Sequence, residues 1–220
     1  MDKIIFIGAF IILFGFIVFL NFFSKKATII RKLKKSANQK IANVTDGEIA
    51  RITGKVELIA EPLTAPLSGR SCVFYHVLVE QRVSTGKSVR WKTLIEEEVA
   101  GEFGIRDDDY CARIEGGNMK SYIVDDRKFT SGYMNDASED LLQYLRRHGY
   151  DSENFLGLNK TIRYREGILE EGETIAVLGK CRWQSAESGQ WSDTYGKVLV
   201  IGPAGKEPVY LSDGPMTTKQ

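Results

Sequence analysis

The chain has 220 residues, 43% hydrophobic and 27% charged, with 30 Lys+Arg against 29 Asp+Glu, 21 Gly, 5 Pro, 3 Cys and 2 His. Ordinary apolar content and scarce cysteine exclude a disordered chain, a collagen and a disulfide scaffold. The five Cys and His residues also fall short of the roughly eight ligands that a paired structural zinc module needs, four per ion.

The near-zero net charge hides a strong segregation. Residues 24–40 hold Lys25, Lys26, Arg31, Lys32, Lys34, Lys35 and Lys40 and no acid. Removing these seven and Lys3 from the 30 basic residues, and Asp2 from the 29 acidic ones, leaves 22 against 28, a net of −6 after position 40. A basic neck therefore joins a mildly acidic body.

Ahead of the neck, residues 4–23 carry no charge, and a helix of about 20 residues at ~1.5 Å each crosses a hydrocarbon core of ~30 Å. The short n-region Met1-Asp2-Lys3 and the absence of a small-x-small site around Asn21-Phe22-Phe23-Ser24 argue for an uncleaved single span rather than a signal peptide. The cations that follow place the C-terminal domain in the cytosol and the amino terminus outside, by the positive-inside rule. Three unclustered cysteines, Cys72, Cys111 and Cys181, agree with a reducing compartment. Lys25, Lys26, Arg31, Lys32, Lys34 and Lys35 are candidate contacts for anionic lipid headgroups, each contributing ~1 kcal/mol near a charged leaflet; serving only as a topology signal is the plainer alternative. The neck has no aromatic residue on which a base could stack, so nucleic acid is not expected.

From residue 46 short apolar runs alternate with Gly, Pro, Asn and Asp, the texture of a β-sheet. Strands are expected over 48–60, 72–83, 89–99, 104–114, 122–124, 174–183, 194–201 and 208–211, with a hairpin loop between Val83 and Val89. One amphipathic helix is expected to start at Asp136, with Glu139 completing a capping box, and to turn Leu141, Leu142, Tyr144 and Leu145 inward. Arg146, Arg147 and His148 suit its last turn and Gly149 its end. The expected fold class is thus mainly β: an N-terminal transmembrane helix (1–23), a basic juxtamembrane neck (24–45), a β-rich barrel-like or sandwich domain (46–212) with one amphipathic helix, and a tail (213–220).

Chemical constellations are weak. Cys72 and His76, four apart on a strand, would lie ~13 Å from each other and cannot share one ion. The triplet Asp107-Asp108-Asp109 lacks the spaced oxygens and closing Glu of a calcium loop and reads as a solvated turn. Thr85-Gly86-Lys87-Ser88 lacks the first glycine and the following helix of a phosphate loop. No Gly-x-Ser-x-Gly elbow is present, and Cys72 in an apolar strand would be an inert thiol. No catalytic residue, cofactor or metal site is expected.

The most specific segment is Leu63-Thr64-Ala65-Pro66-Leu67-Ser68-Gly69-Arg70-Ser71-Cys72-Val73-Phe74-Tyr75. It resembles the signature of the GIDE domain, also called BAM for "beside a membrane", found in the mulan-type mitochondrial ubiquitin ligase and in prokaryotic membrane proteins. Gly54, Cys72, Tyr75, Trp91, Phe103, Asp107, Gly172 and Gly179 fall at matching positions over about residues 46–202. Tyr110 departs from the pattern, where a Gly is usual. The resemblance implies a membrane-anchored protein presenting a cytosolic interaction or sensing module to a protein partner. Pro62, Ala65, Pro66, Leu67, Ser68, Gly69 and Arg70 are the candidate interaction loop, although a buried, register-setting turn is the plainer reading. The alternative is a component of a ubiquitin-ligase complex or a cryptic enzyme; ligase activity in the mulan-type protein rests in a RING whose zinc ligands this sequence lacks.

Overall fold

A computed structural model of the chain describes residues 24–131, 137–150, 161–186 and 191–219. Five strands form a closed ring: β2 (Ile49–Leu58), β7 (Phe103–Asp107), β8 (Tyr110–Ile114), β13 (Lys197–Gly202) and β12 (Thr174–Ser185). The ladder between β2 and β12, from Thr174↔Lys55 to Lys180↔Ile49, closes it. All neighbours are antiparallel except β8 and β13. This is the strand order of a Greek-key barrel of the OB type. Alternation along each strand sends Ile52 and Val56, Phe103 and Ile105, Ile175 and Val177, and Leu199 and Ile201 into one core. The other edge of β12 also carries β14 (Val209–Ser212), which pairs in parallel with β9 (Met119–Tyr122), while β1 (Asn38–Gln39) lies along β2.

Two long excursions from the ring build a second layer. One contains β3 (Leu63–Thr64), β4 (Ser71–Cys72), β5 (Phe74–Ser84) and β6 (Val89–Ala100); the other contains β10 (Arg127–Thr130) and β11 (Ile162–Leu169). Together they give a four-stranded sheet of order β10-β11-β5-β6. Helix Glu139–Arg147 covers one face, burying Leu141, Tyr144 and Leu145 against Val77, Val79, Ile95 and Ile162. Ser138 caps this helix, its Oγ accepting the Leu141 N–H at 3.4 Å; Asp136, the expected cap, lies outside the described residues.

The remaining helices are α1 (Lys25–Lys35) and α3 (Pro215–Thr218), which makes Glu139–Arg147 α2. The expected fold class is corrected here. The ring is a closed barrel and not a sandwich, because β2 reaches both β7 and β12. Three α-helices stand among the described residues, where one amphipathic helix was expected after the transmembrane run. The run 4–23 lies outside the described residues, and among those described no helix is long and apolar enough to cross a membrane. The expected strand 104–114 is two strands joined at Asp108, which takes a left-handed φ of +55°, a conformation that Asp visits more readily than most non-glycine residues.

Candidate functional site

The loop from Pro62 to Arg70 is a hairpin connection held from beneath. The Ala65 N–H donates to the Arg70 carbonyl and the Gly69 N–H to the Ala65 carbonyl, both at 2.9 Å. Gly69 sits at φ +70°, where a Cβ would strain the turn. Ala65 and Leu67 are each only 1% exposed. The Leu67 N–H donates to Glu166 Oε1 at 2.8 Å, and Arg127 Nη1 donates to the Leu67 carbonyl at 2.8 Å. Glu166 is itself buried, so this carboxylate costs several kcal/mol to desolvate unless such donors satisfy it. Arg70 forks onto Glu170 at 3.0 and 2.5 Å. Pro62 is exposed, Pro66 and Ser68 are half-buried, and the apolar part of the loop points inward. The geometry is that of a packing element.

The other positions of the resemblance are spread over the fold. Gly54 lies where β2 crosses β7, and a Cβ there would sit 2.7 Å from the Arg106 carbonyl oxygen. Phe103 is buried in the barrel core, and Cys72 is buried with the half-buried Tyr75 packed beside it. Trp91 on β6 lies under the Arg163 guanidinium at 4.0 Å. Asp107 accepts Lys40 Nζ at 2.6 Å and the Ile41 N–H at 3.3 Å, fastening the end of the neck to the barrel. Gly172 is in the β11–β12 turn and Gly179 is in β12. These residues do not converge on one site. All three cysteines are free and buried. Burial pushes the Cys72 and Cys181 thiols up to about 11 and Cys111 to about 12, so none offers a thiolate near neutral pH.

The neck is the better-defined surface. Ser24 caps α1, its Oγ accepting the Ala27 N–H at 3.2 Å. Ile29 and Leu33, one turn apart, are fully buried against Leu178, Ala176 and Tyr210. Three of the six expected lipid contacts turn toward the domain. Lys25 pairs with Glu98, Lys26 Nζ lies 4.3 Å from the Tyr122 ring centroid, and Lys32 reaches Glu207 at 3.2 Å. Arg31, Lys34 and Lys35 lie on the outer face around Ile30 and Ala27. Behind the helix, Arg51, only 8% exposed, donates to the carbonyls of Ser36 at 3.3 Å and Thr217 at 2.5 Å, clamping α1 and α3 to β2.

No family model matches the chain, and no curated protein or solved structure matches it. The site therefore rests on its own geometry.

Two features had no reading in the sequence. Tyr110, Trp183 and Tyr195 line an open slot of about 420 Å³ with Ala42 and Lys197. Tyr110 and Tyr195 have ring centroids 5.5 Å apart, and Tyr110 meets Trp183 edge-on at 6.4 Å. Tyr195 is 62% exposed, an unusual placement for a large aromatic ring outside an interface. Its neighbour Trp191 lies over Gly104 on the outer face of β7 and β8 and donates from Nε1 to Glu57 at 3.1 Å. That indole covers the strand face on which OB-type barrels bind extended ligands. These aromatic residues come from β8, β12 and the β12–β13 connection, and no local spacing announces their meeting. The second feature is a recess between α1 and the second sheet, lined by residues from six elements.

Proposed function

We propose that this chain is a membrane-anchored, non-catalytic interaction module of the GIDE type, displayed on the cytosolic face next to the lipid surface. The observation that carries the proposal is the docking of α1. The basic neck is no loose tether, since Ile29, Leu33 and the Arg51 clamp join it to the barrel. With the charge-free run 4–23 ending one residue before the Ser24 cap, a bilayer holding that run would hold the whole barrel at its surface. Arg31, Lys34 and Lys35 then face anionic headgroups. A protein partner would find its anchor in the Tyr110–Trp183–Tyr195 slot, since Tyr and Trp are favoured interface residues.

A cysteine introduced for Lys87, exposed in the β5–β6 loop, tests the proposal, because the native thiols are buried. An impermeant maleimide is expected to miss Lys87→Cys in intact cells and to modify it after lysis. Modification in intact cells overturns the cytosolic placement. With a photo-cross-linker in place of Tyr195, a discrete protein adduct in native membranes is expected, and its absence overturns the interaction role.

A further inference from the structure

The recess beside α1 has a volume of about 280 Å³. Most of the charge at its wall is already spent. Lys25 pairs with Glu98, which also accepts Ser121 Oγ at 3.1 Å, and Lys128 pairs with Asp125 at 3.3 Å. Five buried side-chain polar atoms have no hydrogen-bond partner among the described residues, and two of them, Arg165 Nε and His76 Nε2, belong to residues of this one recess. Arg165 reaches Glu80 only at 3.6 Å, because Arg163 already occupies that oxygen at 2.7 Å. His76 Nε2 is 3.9 Å from Glu96 Oε1, too long for a hydrogen bond. Glu96 makes no closer ion pair among the described residues, and its side chain is 56% exposed.

A buried donor left without an acceptor is destabilising, and such atoms are normally met by water or a ligand. Arginine presents its Nε and Nη donors as a fork that fits phosphate oxygens. Burial lowers the His76 pKa, so its ring is neutral at pH 7 and can donate from Nε2. The Glu96 carboxylate, beside His76 at 3.9 Å, asks for a cation. Donors that suit a phosphate with a carboxylate next to them describe a phosphoethanolamine. Lys25 and Lys26, which form one wall, are the first two residues of α1 and follow the charge-free run almost directly.

We propose that this recess binds the headgroup of a zwitterionic phospholipid, its phosphate on Arg165 and His76 and its ammonium on Glu96. The inference rests on the membrane-anchored reading above. A soluble phosphoethanolamine would offer the same chemistry, and the experiment separates the two.

Full-length protein in a detergent without phosphate is titrated with dihexanoyl phosphatidylethanolamine, dihexanoyl phosphatidylglycerol, soluble phosphoethanolamine and inorganic phosphate. The readout is the His76 imidazole resonance, identified by its loss in His76→Gln. The expected order has phosphatidylethanolamine at least tenfold tighter than the other three. Arg165→Gln should weaken it at least tenfold, and Glu96→Gln should remove the preference over phosphatidylglycerol, with the melting temperature of both variants unchanged. Equal binding of soluble phosphoethanolamine overturns the lipid source. Undiminished binding in Arg165→Gln, or no response of His76 to any probe, overturns the site. Either result alongside a protected Lys87→Cys leaves the anchoring intact and removes this inference alone.

Discussion

Replacing Ile29 and Leu33 together by alanine is expected to release α1 while the barrel stays folded. Both side chains are fully buried, and burying two such groups contributes about 1.5–3 kcal/mol each. The surrounding ion pairs, Lys25–Glu98 and Lys32–Glu207, have half-exposed lysines and add ~0–1 kcal/mol each. An isolated helix of about 11 residues is marginal in water, so tertiary docking supplies nearly all of its stability. Each truncation removes about 2–5 kcal/mol, and the pair therefore exceeds what holds the helix down. The two substitutions should combine less than additively, because a helix that has already left has nothing further to lose. Hydrogen exchange on full-length protein in nanodiscs reads this directly. Amides of residues 25–35 should exchange on the order of 100-fold faster, corresponding to about 3 kcal/mol, while the β2–β12 ladder keeps its protection. Unchanged exchange in 25–35 would refute the docking argument. Simultaneous loss of protection in β2 and β12 would show instead that α1 belongs to the cooperative core.

Leu67→Asp should destabilise the domain by about 3–5 kcal/mol, since it places an unpaired charge against Leu141 and Leu145 and beside Glu166; a melting temperature within a degree of the parent would contradict this. Asp213, which accepts the Val124 N–H at 2.9 Å, has its pKa raised to about 6, chiefly by burial. Its folded form binds a proton that the unfolded chain, with a pKa of about 3.9, releases earlier, so its contribution is fully present below about 4 and is lost as pH rises through 6. Asp213→Asn should flatten that fall and gain on the order of 1–2 kcal/mol at pH 7, as measured by urea melts at pH 4.5 and 7; parallel curves for both proteins would exclude the effect.

Strands with regular alternation and plain turn chemistry were legible from the sequence, as with β6, β12 and the hairpin between Ser84 and Val89. Others were hidden by the very residues that make the packing work. β11 carries Glu166 and Gly167 in its middle, which reads as a break. In the fold Glu166 is the buried acceptor for the loop, and a Cβ at 167 would lie 2.7 Å from the Val124 carbonyl oxygen. The neck read as a charge signal because seven cations outweigh two buried aliphatic residues in any composition count, and its partners Leu178 and Tyr210 lie more than 140 residues away. For the same reason neither the aromatic slot nor the recess was legible, because each gathers residues from several elements. The Pro62–Arg70 loop was conspicuous in the sequence, and the structure turns its apolar side chains inward.

The ladder that closes the barrel also sets an order of events during synthesis. β2 emerges early, yet its second partner is β12 and the ring is completed only by β13. Until then β2 offers an open strand edge, a template for unwanted pairing, and contacts of such sequence separation form slowly. Any insertion of residues 4–23 into a bilayer would precede this step, so the nascent body would wait at the lipid surface with that edge uncovered. A holding factor at the membrane, or a slow stretch of translation before residue 174, would therefore bear more on the yield of this protein than on its final stability.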